Sequence, residues 1–227
     1  MAQLVEITKV AVAPKHFTAR VHIANGGPLT TDEDLVGTTH VYRLLPEICD
    51  HACLGDEGAT FKDAMGATEV AHLLEHVAIE LMARTNLAGD ITCGRTWEVT
   101  GEERTYDVQL ACPDDVLVSS ALSSAAWILQ WAYSGGADPK PDVDAIVEGI
   151  RALVEHAEEL AAQYEAEAAE TSAEGEDTPE LEGAAEPEEG LDADAGEHGE
   201  PAEGNAAYGE PAFDGAGELD SSNYAVD

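Results

Sequence analysis

Residues 3–13 (QLVEITKVAVA) and 17–24 (FTARVHIA) alternate apolar with polar positions and are rich in β-branched types. The pattern predicts two antiparallel strands joined at Pro14-Lys15. Asn25-Gly26-Gly27-Pro28 predicts a turn. From Asp32 to about His51 the positions Leu35, Val36, Val41, Leu44, Leu45 and Ile48 suit a helix, with Pro46 as a point of breakage. Gly55 to Gly58 predicts a loop. The strongest helical pattern runs from about Phe61 to Arg84 and ends before Asn86 and Gly89. Its apolar positions Val70, Leu73, Leu74, Val77, Ile79 and Leu81 cover much of the circumference, the signature of a buried helix. His72, Glu75, His76 and Glu80 are therefore polar groups in or beside a core, where each costs several kcal/mol unless it is partnered.

Residues 91–99 and 104–112, joined by Thr100-Gly101-Glu102-Glu103, predict a β-hairpin. Pro113-Asp114-Asp115 opens a helix carrying Val116, Leu117, Ala121, Leu122, Trp127, Ile128 and Trp131, ended by Gly135-Gly136. Both tryptophans are expected in the core. A last helix is expected from Asp142 to about Glu170, striped by Val143, Ile146, Val147, Ile150, Leu153, Val154 and Leu160. The expected fold is α+β: antiparallel strands packed against helices in a single domain over residues 1–165. Residues 166–227 turn to Glu, Ala, Gly, Asp and Pro, which bury too little apolar surface to offset chain entropy. They predict a disordered acidic tail.

Charge sharpens that division. The 227-residue chain has a formal net charge of -37, and every Lys and Arg lies at or before Arg151. So acidic a surface disfavours nucleic acid and anionic membranes and favours a cationic or zwitterionic partner. The start, MAQLVEITKVAV, has neither the basic region nor the apolar run of a secretory signal. No stretch offers the roughly 18–20 consecutive apolar residues that span a bilayer. Cys49, Cys53, Cys93 and Cys112 form no dense framework, and the expectation is a reduced, cytoplasmic protein. Cys49 and Cys53, with His51 between them, could bind metal; small buried thiols are the default reading.

The chemistry centres on His72-Leu73-Leu74-Glu75-His76. Four apart on a helix, His72 and His76 share one face and can converge on a zinc ion; Glu75 lies on the same side, where a carboxylate can deprotonate water. This H-x-x-E-H order is the inverted form of the H-E-x-x-H metalloprotease helix. The competing reading makes both histidines core residues bonded to carboxylates, or a solvated edge. Glu80 lies eight residues beyond His72, about 12 Å of axial rise, so it reads as a group orienting His76 or as a solvent-facing charge. Asp115, His51, Cys53 and Cys112 are all candidates for a third ligand. Arg95 could hold a substrate carboxylate or oxyanion, or pair with Glu98 or Glu102. His16, His22 and His40 have no companions and read as structural.

Several blocks together resemble the amino-terminal domain of cyanophycin synthetases: GATEVAHLLEHVAIELM (66–82), LLPEICDHACLG (44–55), CGRTWEVTGEERTYDVQL (93–110) and PDVDAIVEGIRALVE (141–155). The resemblance covers roughly residues 1–165. It departs at Thr68-Glu69-Val70, where an aromatic residue is expected after Thr, and at Cys112-Pro113-Asp114-Asp115. In that family the domain helps hold a poly-aspartate polymer bearing arginine side chains. In some members its H-x-x-E-H site is a metallopeptidase-like centre that cuts the polymer, and in others the domain binds without cutting. Carried over by position, the resemblance implies metal ligands His72 and His76, general base Glu75, zinc as cofactor and an arginine-bearing peptide or polymer as partner. No Walker-type phosphate loop occurs here, so the expectation is a stand-alone domain and not a complete synthetase. Three functions follow as expectations: a zinc-dependent amide hydrolase, a non-catalytic polymer-binding or accessory module, or a structural metal site.

Overall fold

The two hairpins join into one sheet through their second strands. A computed structural model describes residues 3–53, 60–89 and 94–174. In it β1 (Val5–Ala13) pairs with β2 (His16–Ile23), β2 with β4 (Thr105–Ala111), and β4 with β3 (Gly94–Glu98). All pairings are antiparallel and the order is β1-β2-β4-β3. Alternation sends Phe17, Ala19, Val21, Ile23, Tyr106, Val108 and Leu110 into the core. The outer face carries Arg20, whose guanidinium donates to both carboxylate oxygens of Asp107 on β4, at 2.9 and 3.0 Å.

Helices cover the inner face, giving the expected α+β architecture. α1 (Leu35–Leu44) is capped by Asp34, whose carboxylate accepts from the backbone N–H groups of Val36 and Gly37. Pro46 then diverts the chain into a 3-10 turn, Pro46–Asp50, as its missing N–H requires. The single helix expected from Phe61 to Arg84 is instead two, α2 (Phe61–Ala64) and α3 (Val70–Thr85). Long-range bonds cause the break. Thr31 N–H donates to the Thr68 carbonyl at 2.8 Å, Thr68 N–H to Thr31 Oγ1 at 3.0 Å, and Thr31 Oγ1 to the Met65 carbonyl at 2.8 Å. Backbone groups bonded to Thr31 cannot serve a helix ladder, so the chain turns after α2 and α3 begins afresh at Val70. α3 ends at Asn86 in the left-handed conformation.

α4 (Asp115–Tyr133) starts at Asp114, whose carboxylate accepts from Leu117 N–H. It is long and apolar enough by composition to cross a membrane, but its stripe of Leu117, Val118, Ala121, Leu122, Ala125, Ile128 and Leu129 is buried core, packed on α1, α3 and α5. Trp127 falls off that stripe and is 53% exposed, against the expectation of a core residue. Trp131 is half-buried, its indole N–H donating to the Ala137 carbonyl. α5 (Val143–Glu174) buries Val143, Val147, Ile150 and Val154, while Leu153, Leu160 and Tyr164 stay exposed. Its Arg151 donates to the Thr85 and Arg84 carbonyls, closing the end of α3. The loop expected at Gly55–Gly58, residues 91–93 of the expected hairpin and the tail beyond residue 174 lie outside the described residues.

α1 and α4 meet closely at Gly37. A methyl built there would lie 2.8 Å from Cε1 and Cγ of Tyr133, and closer still to Cδ1. Replacing a helical glycine with alanine normally gains at most about 1 kcal/mol, whereas overpacking costs about 1–3 kcal/mol. Gly37→Ala is therefore expected to lower the denaturant midpoint; an unchanged or raised midpoint would show that α1 and α4 separate freely.

Candidate metal centre

α3 is the buried axis of this site, and its polar residues are all engaged. His72 and His76, one turn apart, bring their Nε2 atoms to 3.1 Å. The chain leaving the 3-10 turn lies across them, anchored where Phe61 N–H donates to the His51 carbonyl at 2.9 Å. That anchor sets Cys53 Sγ 3.6 Å from His72 Nε2. One ligand atom each from Cys53, His72 and His76 lies within 4.8 Å of the other two. Among the described residues this is the group of His, Cys and acidic side chains that could hold a metal ion.

The spacing can be checked against a tetrahedral site. Zinc–nitrogen bonds of about 2.05 Å and zinc–sulfur bonds of about 2.3 Å imply N···N near 3.3 Å and N···S near 3.6 Å. Two of the three separations, 3.1 and 3.6 Å, fit that frame, and all three donor atoms lie within 4.8 Å of one another. Thr68 Oγ1 lies 3.1 Å from Glu69 Oε2 and 2.8 Å from His72 Nδ1; when its proton goes to the Glu69 carboxylate, it accepts from His72 Nδ1–H. His72 then presents a lone pair on Nε2, the atom facing Cys53 and His76.

An aromatic ring covers His76, while His72 stays half-buried. Phe61 is fully buried, stacks on His76 with centroids 3.9 Å apart and meets His72 edge-on at 5.3 Å. Burial pushes His76 down to about 3, helped by the neighbouring His72 and His51, and lowers His72 as well. Both imidazoles are thus neutral at neutral pH, the form that binds metal.

Glu75 is only 4% exposed, and burial raises its carboxyl to about 7 despite a 2.6 Å hydrogen bond donated by Thr96 Oγ1. Gly94 presses on it: a Cβ there would lie 2.7 Å from Glu75 Cγ and Oε1. A carboxyl held near neutrality can both take and return a proton. Of the two roles expected for Glu80, the solvent-facing one does not fit its burial, and its link to His76 runs through His51. Its Oε2 accepts from His51 Nε2 at 2.9 Å and its Oε1 from Arg84 Nε at 2.6 Å.

Of the third-ligand candidates, Cys53 joins the cluster, while His51 sits behind His76, Nδ1 to Nδ1 at 3.2 Å. Cys112 and Asp115 sit at the β4–α4 junction, and neither belongs to the group. Arg95 pairs with neither Glu98 nor Glu102. It lies over the Trp97 ring at 5.7 Å, while Arg20 takes Glu102. Strand pleat explains this, because Thr96 opposes buried Val108 and faces Glu75, so Arg95 faces outward. Of the histidines read as structural, His22 bonds Thr105 and His40 packs edge-on against Trp131. Phe61 and Thr68 went unrecognised in the sequence. Thr68 carried a readable signal, standing four residues before His72.

Fold and site together define a small α+β domain whose central helix carries a buried His/Cys cluster. Residues 30–132, just under half of the chain, match the family model of the cyanophycin synthase-like N-terminal domain. That stretch contains Cys53, His72, Glu75, His76 and Thr96. No curated protein matches the chain.

The Thr96 bond lowers Glu75 and burial raises it. Thr96→Val removes the bond while nearly preserving shape, so in metal-free protein the Glu75 carboxyl should titrate above about 7. A carbon-13 NMR titration of its side-chain carbon measures this. A titration midpoint that falls would contradict the assigned contact.

Proposed function

We propose that this chain is a zinc-dependent amide hydrolase, its metal held by His72, His76 and Cys53, acting on an arginine-bearing peptide or a cyanophycin-like polymer. The observation carrying the reading is the spacing of three donors, two imidazole nitrogens and a sulfur, on a helix that also carries a buried carboxyl near neutrality. Two imidazoles and one thiolate suit zinc, and three protein donors are the number that leaves a fourth position for water or substrate. A bound zinc ion would supply Lewis acidity, polarising a carbonyl and making water acidic near neutral pH.

The remaining work falls to the protein. Glu75 accepts the proton of the attacking water and delivers it to the departing amine, a role its raised carboxyl suits. Thr96 and Gly94 hold that carboxylate in one place. Phe61 stacks on buried His76 and screens it from solvent, which strengthens electrostatic interactions there. The substrate class rests on the family match over residues 30–132 and on a net charge of -37, which attracts guanidinium groups and repels anionic polymers.

Purified protein is expected to carry about one zinc per chain, lost in a folded His72→Ala variant. Arginine-bearing peptides and polymer should be cut by wild type. Glu75→Gln should retain zinc and lose on the order of 100-fold or more in rate, the usual contribution of a general base. Zinc-loaded wild type that binds these substrates without cutting them would replace hydrolysis with the binding-module reading. Protein that never takes up metal would remove both the hydrolase and the structural-metal readings.

A further inference from the structure

Behind the donor cluster runs a chain of hydrogen bonds that reaches the surface. His76 Nδ1 lies 3.2 Å from His51 Nδ1, and His51 Nε2 lies 2.9 Å from Glu80 Oε2. Arg84 Nε donates to Glu80 Oε1 at 2.6 Å, and Arg84 Nη2 donates to Glu47 Oε2 at 2.6 Å. The Arg84 carbonyl accepts in turn from Arg151 on α5.

We propose that His51, held by Glu80 and Arg84, is a positioning residue that fixes the tautomer of His76 and so aims the His76 Nε2 lone pair at the metal. The inference rests on the metal-centre reading and assigns a different role to each edge of one ring. Glu80 is a carboxylate with Arg84 on one oxygen, so it can only accept. His51 must therefore carry its proton on Nε2, and a neutral His51 has its lone pair on Nδ1. That lone pair accepts from His76 Nδ1–H, leaving His76 Nε2 unprotonated and facing His72 Nε2, 3.1 Å away. With its proton on Glu69, Thr68 accepts from His72 Nδ1–H and gives His72 the same state from the other side. Two lone pairs pointed at each other repel in the absence of a shared cation, so both histidines are arranged for an ion between them.

The geometry also excludes His51 as a ligand of that ion. It meets the Nδ1 edge of His76, while the donor cluster lies at the Nε2 edge. His51 acts through His76, as partners of metal-bound histidines commonly do.

Glu80→Gln is a sharp test because Arg84 dictates how the amide sits. The Gln oxygen must face Arg84 Nε, which turns its NH2 toward His51 Nε2. His51 must then accept at Nε2 and donate from Nδ1. His76 Nδ1 becomes the acceptor, and the His76 proton moves to Nε2, where it blocks the metal. In metal-free wild type, long-range proton–nitrogen NMR should show His76 protonated at Nδ1; in Glu80→Gln it should be protonated at Nε2. Zinc affinity, measured by competition with a chromogenic chelator, should fall about 10–100-fold in Glu80→Gln and in His51→Phe. A wild-type His76 protonated at Nε2 overturns the proposal, as does a Glu80→Gln variant with unchanged tautomer and affinity. If His51→Phe does not fold, the near-isosteric Glu80→Gln decides alone. Wild type without zinc affinity would reject the metal centre, while the tautomer readout would still decide the relay.

Discussion

The structure depends on satisfying the polar groups of a helix that is buried almost all round. α3 places Leu73, Leu74, Val77, Leu81 and Met82 in the core and carries Glu75, His76 and Glu80 with them, each less than 9% exposed. Unpartnered, each would cost several kcal/mol. The fold meets that demand from four directions. Thr96 comes from β3, His51 and Cys53 from the strap before α2, Thr68 from the turn preceding α3, and Arg84 from the last turn of the helix itself. No buried side-chain nitrogen or oxygen among the described residues lacks a partner. The pieces that close the core are therefore the same pieces that shape the candidate site.

Burial also divides the ionisable groups by role. Glu75 is buried with one hydroxyl donor and rises to about 7. Glu80, equally hidden, has His51 and Arg84 on its two oxygens, and its hydrogen bond from His51 chiefly holds it below the usual carboxylate range. Two glutamates five residues apart on one helix thus have opposite tendencies, one poised to exchange a proton and one fixed as an anion.

Local periodicity made much of this legible in the sequence. Strand alternation located β1, β2, β3 and β4, and i, i+4 spacing placed His72 and His76 on one face. Long-range contacts decided what could not be read. The break between α2 and α3 comes from Thr31, 37 residues before Thr68, whose hydrogen bonds outcompete the helix. Cys53 and His51 reach the site through a strap whose course no local pattern specifies, so both were candidates of equal standing with Cys112 and Asp115. The pleat could have excluded Arg95 from the Glu75 side, since its neighbour Thr96 has opposite parity. Trp127 was misplaced because a helix as apolar as α4 has no charged stripe to mark its exposed side; Ser119, Ser120, Ser123 and Ser124 are the faint substitute.

The central claim is that Cys53, His72 and His76 form one metal-binding set. X-ray absorption at the zinc edge on the zinc-loaded protein reads that set directly. The account predicts one sulfur at about 2.3 Å and two imidazole nitrogens at about 2.0–2.1 Å, with the remaining coordination from a light oxygen-type scatterer. A shell without sulfur, or one with three or more imidazoles that includes His51, would contradict it.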